Sequence, residues 1–161
     1  FDSTGSVLTS RSEIGAGLLC VRDYAIAFAN LDGEGPPEII VGAAAFRYTS
    51  SPKPQLQLLW NKNLIEEGAW GTIPAVADLD GDGVLDAIVA NLSGVSGNLS
   101  ILRGKGDGTF AASQRIDFPS TVRPVSVSVG DLDQDGIADL VIADQPSTGN
   151  GAILVRRGTG Q

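Results

Sequence analysis

Apolar residues in this chain alternate with small or polar ones in some stretches and form short unbroken runs in others. Acidic, glycine-rich segments lie between the two kinds. Alternation appears in Ala25–Ala29, Pro74–Ala77 and Pro124–Val129, with Ala, Ser or Gly on one parity and Ile, Phe or Val on the other. A period of two predicts a strand. Unbroken apolar runs follow at Ile39–Val41, Ala87–Val89 and Leu140–Ile142. Runs this short, bounded by turn residues, predict strands buried on both faces. A third strand is predicted at Leu56–Trp60, Leu99–Leu102 and Ile153–Val155, framed by turn-forming segments such as Gly94–Asn98 and Pro146–Gly151. A fourth is predicted at Arg115–Phe118, with a counterpart around Leu64–Thr72. No segment keeps a helical period over ten residues.

The pattern is a repeat. Asn30–Glu38, Asp78–Asp86 and Asp131–Asp139 align with one another, each between an alternating stretch and an apolar run. About four short strands per unit of roughly fifty residues is the spacing of a propeller blade. The predicted fold is therefore all-β, with propeller-like blades of about four antiparallel strands in three repeats. We divide the single repeat domain, 1–161, into an N-terminal segment 1–23 and repeats 24–73, 74–123 and 124–161. The last repeat is incomplete. Val7–Ser10 reads as the outer strand of another blade. Three blades fall short of the four to eight that close a ring, so the chain is expected to be part of a larger or oligomer-completed propeller. It starts at Phe1 and contains no Met, which reads as a processed product or an excerpt from a longer chain. The longest apolar run, Ile39–Phe46, is too short to span a bilayer.

Composition narrows the chemistry. The chain has 161 residues, 19 Asp and Glu against 11 Lys and Arg, a net charge of −8, no His and one Cys, Cys20. An acidic surface argues against nucleic acid as a partner. The missing His removes the usual triads, general bases and imidazole ligands. One Cys excludes an intrachain disulfide and a CxxC pair. Eleven of the 19 acids lie in the three repeated loops, so most of the negative charge is concentrated there. Asp107, Asp117 and Asp144 stand apart and read as solvated. No constellation points to an enzyme.

Each loop follows Asp-x-Asp-x-Asp-Gly-x-x-Asp. Oxygen donors at positions one, three and five can converge on one cation: Asp78, Asp80 and Asp82; Asp131, Asp133 and Asp135; and, degenerately, Asn30, Asp32 and Glu34. Glycine at six (Gly35, Gly83, Gly136) lets the backbone fold round. The carbonyl at seven (Pro36, Val84, Ile137) and the carboxylate at nine (Glu38, Asp86, Asp139) complete the set. Hard oxygen donors in this number suit Ca²⁺ better than Mg²⁺, zinc or copper. An EF-hand needs an acid at position twelve, where this chain has Val41, Val89 and Ile142. The expectation is two Ca²⁺ sites, with a third in the degenerate first loop.

VADLDGDGVLDAIVAN with NLSILRGKGDGTF, and VSVGDLDQDGIADLVIAD with AILVRRGTG, resemble the FG-GAP and VCBS repeat family, which includes the blades of integrin α-subunit propellers. AFANLDGEGPPEIIVGA is a divergent copy. The resemblance covers residues 24–161. It implies an extracellular or cell-surface β-propeller with Ca²⁺ held between the first two strands of a blade, serving adhesion or binding.

The leading functional expectation is a calcium-stabilised extracellular binding or adhesion scaffold for an unidentified protein or glycan ligand, without membrane insertion. Two alternatives accompany it. One is a carbohydrate-binding lectin module using Trp60, Trp70, Phe110, Tyr24 or Tyr48, although packing is the commoner role for each. The other is a structural subunit that forms a ring or filament by head-to-tail blade completion. Asn91-Leu-Ser93 and Asn98-Leu-Ser100 are N-glycosylation sequons. Arg103–Lys105 and Arg156–Arg157 are small basic spots after the third strand, read as solvated rim.

Overall fold

The computed structural model describes residues 26–41, 44–50, 55–61, 69–93 and 96–159; at 61, 69–73, 92–93 and 96 only the backbone is described. Expectations for Val7–Ser10, Cys20 and Tyr24 fall outside these residues, as does that for the Trp70 side chain. Eleven strands form three antiparallel sheets. The first is a meander of β1 (Ile26–Ala29), β2 (Glu38–Val41), β3 (Ala44–Thr49) and β4 (Gln55–Asn61). The second is β5 (Ala69–Ala77), β6 (Asp86–Ser93), β7 (Ser96–Leu102) and β8 (Gln114–Asp117). The third is β9 (Pro124–Gly130), β10 (Asp139–Asp144) and β11 (Ala152–Arg156). These are propeller-like blades, and they do not close a ring.

The first repeat departs from the predicted strands. Its third strand is β3, and Leu56–Trp60 lies in the fourth, β4. The run Ile39–Phe46 holds two strands that pair from Val41 and Ala44 onward, only two residues apart. Gly42 is the sole break in that apolar run, so the hydropathy pattern merges them. The predicted fourth strand around Leu64–Thr72 is not part of the first sheet where it is described. Ala69–Thr72 open β5, the first strand of the second sheet, which pairs with β6 from Ala69↔Ser93 to Ala77↔Asp86.

Strand parity organises the stack. Alternate residues of β6 face opposite sides of the second sheet. Ala87 and Val89 join Leu31, Ile40, Ala45, Leu102 and Phe110 in one core. Ile88 and Ala90 join Leu99, Val127, Leu140 and Ile142 in another. The second blade is thus covered on both faces, by the first blade on one side and the third on the other. β5 lies against both β1 and β9. In β1 the small Ala27 and Ala29 face the inter-blade core, where they permit close approach. Ile26 and Phe28, the bulkier parity, point outward and are 61% and 68% exposed.

Phe110 is the wedge between the first two blades. It meets Trp60 edge-on, with ring centroids 5.0 Å apart at 67°. Both aromatics therefore serve packing. The turn that delivers Phe110 is held by Asp107, whose Oδ1 accepts from the Thr109 N–H at 2.9 Å and the Thr109 hydroxyl at 2.6 Å. An isolated bridge between Gly104 and Phe110 closes it.

Asn91 and Asn98 are also internal. They face each other across β6 and β7, both buried. The Asn91 amide donates to Asn98 Oδ1 at 3.0 Å and to Ser100 Oγ at 2.8 Å. A glycan acceptor must present its amide to solvent, so this polar ladder does not fit the sequon reading.

Ile88 is fully buried in the second core. Ile88→Ala is expected to cost about 2–5 kcal/mol, read as a lower denaturant midpoint at unchanged slope.

Candidate metal centre

Each acidic loop joins the first strand of a blade to the second. Its carboxylates first organise the loop itself. Asp78 Oδ1 accepts from the Gly81 N–H at 2.7 Å and Oδ2 from the Gly83 N–H at 2.9 Å. Asp131 does the same for Asp135 and Gly136, at 3.1 and 2.9 Å. At position five, Asp82 and Asp135 each accept from the N–H two residues on, both at 2.8 Å. In the first loop Asp32 accepts from Glu34 at 2.9 Å, and the neutral Asn30 only reaches the Gly35 carbonyl at 3.5 Å.

Positive φ angles let these turns close. Gly83 and Gly136, at position six, both have φ 85°, and Gly35 has φ 67°. Position four is left-handed as well: Gly33 at 73°, Gly81 at 76° and Gln134 at 62°. Gln134 is the one non-glycine residue with positive φ among the described residues, and its Cβ makes that conformation costly.

The carboxylate at position nine is the junction of each blade. Glu38, Asp86 and Asp139 are all at most 2% exposed. Each accepts the N–H of the loop's second residue: Leu31 at 3.0 Å, Leu79 at 3.2 Å and Leu132 at 3.0 Å. The other oxygen of Asp86 accepts from the Gly104 N–H at 2.8 Å, and that of Asp139 from the Gly158 N–H at 2.9 Å. These glycines are dictated by close approach. A Cβ at Gly104 falls 2.3 Å from the Leu85 carbonyl, and one at Gly158 falls 2.4 Å from that of Ala138. One buried acid therefore ties the loop, the second strand and the end of the third strand together.

An arginine stands across from position nine in every blade. Ile39 pairs with Phe46, Ala87 with Leu102 and Leu140 with Arg156. The next residues are Arg47, Arg103 and Arg157. Arg47 pairs with Glu38 at 3.2 Å and also with Asp32. Arg103 pairs with Asp86 at 2.6 Å and Asp80 at 3.1 Å. Arg157 pairs with Asp133 at 2.9 Å. Arg103 is thus engaged with loop acids in a largely buried setting, which corrects its reading as solvated rim, while Arg157 pairs with a loop acid from a side chain that stays exposed. Asp117 and Asp144 also have partners: Asp117 pairs with Arg115 at 2.6 Å, and Asp144 accepts the Arg123 N–H at 2.7 Å.

Among the described residues, two groups of acids bring ligand oxygens within 4.8 Å of one another: Asp78, Asp80 and Asp82, and Asp131, Asp133 and Asp139. Asp86 and Asp135 lie outside these groups. In the second loop Asp80 Oδ1 is buried without a hydrogen-bond partner. A divalent cation with hard oxygen ligands fits that donor set and satisfies that atom. The first loop gathers no such group among the described residues.

The surroundings of the loops differ. The turn through Gly108 approaches the first loop, where a Gly108 Cβ is 4.0 Å from Asp32 and 3.9 Å from Arg47. Beside the second loop lies a cleft of about 310 Å³ between the second and third blades, lined by Asp80, Arg103, Ile137, Arg156 and Arg157 among others.

These features define an all-β protein of propeller-like blades whose inter-strand acidic loops carry two convergent carboxylate groups. Residues 78–142 match the family model described as an FG-GAP-like repeat. The match runs from the first acid of the second loop to Ile142 in β10, so it takes in both complete loops. No curated protein and no solved structure matches the chain.

Two outcomes follow for the loops. Gln134→Gly relieves the left-handed strain against a more flexible unfolded chain, for a net gain of about 0.5–1 kcal/mol in denaturant melts. The second concerns acid. The Gly83 N–H holds the Asp78 carboxyl below its ordinary value of 3.8 against the opposing effect of burial, with the Gly81 N–H adding to it. The Gly158 N–H, then that of Leu132, does the same for Asp139. A carboxylate with a depressed folded-state pKa stabilises the fold above its unfolded value and loses that contribution as pH falls through the folded value. Melting temperature in EDTA is therefore expected to be flat above about pH 5 and to fall below about pH 4, with a shallower acid limb in Asp139→Asn.

Proposed function

We propose that the protein is a calcium-stabilised, extracellular binding scaffold, with Ca²⁺ held in the loops Asp78–Asp86 and Asp131–Asp139. The observation that carries this reading is the convergence of three carboxylates in each of these loops, with Asp80 Oδ1 buried and unpartnered in one. Like charges this close repel each other, and a divalent cation removes that penalty. The clustered acids accept backbone N–H groups and guanidinium donors, a use that favours ligation over acid–base catalysis. Extracellular modules bind Ca²⁺ at about 10⁻⁴–10⁻³ M, the range in which such exposed loops work. The FG-GAP-like match over 78–142 supports the same class. No helix among the described residues is long and apolar enough to cross a membrane.

A second reading, head-to-tail association, is favoured by the end faces of the stack. Ile26 and Phe28 are exposed on the first blade, and Ile153 and Val155 on the third. Val141 and Ala143 of β10 have the same parity as Ile88 and Ala90, which pack on the next blade, and they pair with Val155 and Ile153. The outer face of the third blade thus matches the face by which the second packs forward. Light scattering across a concentration series tests it: a constant monomer mass rejects association, and a mass that grows with concentration supports it.

Calcium titration by calorimetry is expected to give two sites. At free calcium about tenfold above the dissociation constant, each contributes about 1.4 kcal/mol. That corresponds to about 3–6 °C in melting temperature per site for a domain of this size. A melting temperature that is the same in calcium and in EDTA overturns the reading.

A further inference from the structure

Resting on the calcium reading above, we infer that the arginine opposite position nine is each loop's internal counter-cation, and that its grip sets how strongly that loop takes a metal. Arg47, Arg103 and Arg157 occupy the same register position in three blades. Each sends its guanidinium to the acid at position three of its own loop: Asp32, Asp80 and Asp133. Asp80 and Asp133 lie among the converging oxygens of their loops. A guanidinium there and a divalent cation draw on the same carboxylates, so binding of one weakens the other.

The three loops form a series. In the first, Arg47 holds both Asp32 and the fully buried Glu38, position one is the neutral Asn30, and no acid group gathers among the described residues. Arginine has taken over the role of the metal. In the second, Arg103 bridges Asp80 and Asp86, but Asp80 keeps one oxygen without a partner and converges with Asp78 and Asp82. In the third, Arg157 reaches Asp133 alone, from a side chain 74% exposed. Asp139 is hydrogen-bonded by backbone N–H groups, with the Arg157 charge acting on it without a direct ion pair, and it converges with Asp131 and Asp133. An exposed ion pair is weak and yields most easily. The affinity order is third loop, then second, with the first closed to metal.

The arginines also offset the mutual repulsion of the loop acids. Each places one positive charge among its loop's carboxylates. Metal binding in the second loop releases Arg103 toward the cleft that it lines together with Arg157.

Calcium calorimetry and EDTA melts on the whole chain test this, with Arg103→Gln and Arg157→Gln beside the unsubstituted protein. Arg103→Gln is expected to tighten the weaker site about tenfold and to lower the melting temperature in EDTA. Arg157→Gln is expected to tighten the stronger site about two- to threefold. Its side chain is 74% exposed, so this variant remains informative if Arg103→Gln does not fold. Affinities that are unchanged or weakened in both variants, with calcium still binding the unsubstituted protein, overturn the inference alone. Flat titrations in all three proteins overturn the calcium reading itself.

Discussion

The buried carboxylate at position nine is the interaction on which each blade depends. An acid at the start of a strand, sealed from water, must have its oxygens satisfied or it becomes a heavy penalty. Here they are satisfied by groups distant in sequence. Asp86 draws in the N–H of Leu79, the N–H of Gly104 and the guanidinium of Arg103. The desolvation cost is met only when the loop, the second strand and the end of the third strand are all in place. The acid therefore acts as an all-or-none fastening, and the loop geometry that gathers the other carboxylates follows from it.

Above that fastening, parity does the rest. β6 of the second blade has no solvent face: the side chains of one parity belong to the core shared with the first blade, and those of the other to the core shared with the third. That is why both parities of the run Ala87–Ala90 are buried, whereas β1 and β11 expose Ile26, Phe28, Ile153 and Val155. The end blades have the same construction with one partner each. Their outward apolar residues are what this kind of stacking leaves at its ends.

The sequence made the loops legible because their spacing is fixed. Donors at alternate positions, Gly at six and the acid at nine all sit within nine residues, and local backbone rules act over that range. The all-β fold and the first two strands of each unit were legible for the same reason. The arginines were not. Arg47 lies nine residues from its position-nine partner and Arg103 lies 17 from its own, because the hairpin of second and third strands is longer in the second blade. Only the strand register shows them to be one position. β3 escaped because its turn from β2 offers a single Gly and no polar residue. The burial of Asn91 and Asn98 was not legible because a tripeptide motif carries no information on it. A pair of asparagines spaced to face each other across a hairpin was the available signal.

Parity also sets which lengths can change. Removing one residue inside β6 swaps its two faces, sending Ile88 and Ala90 toward the wrong neighbour and damaging two cores at once. Lengthening the connection from second to third strand leaves every side chain facing as before, and the third blade, with seven residues between β10 and β11 against two between β6 and β7, shows that such change has been absorbed. Adding a whole blade preserves parity as well, since its forward face repeats the one before it. Gene duplication in steps of one repeat, together with drift in the outer connections, is therefore the route by which a chain of this design can grow, while its strand interiors are closed to insertion and deletion.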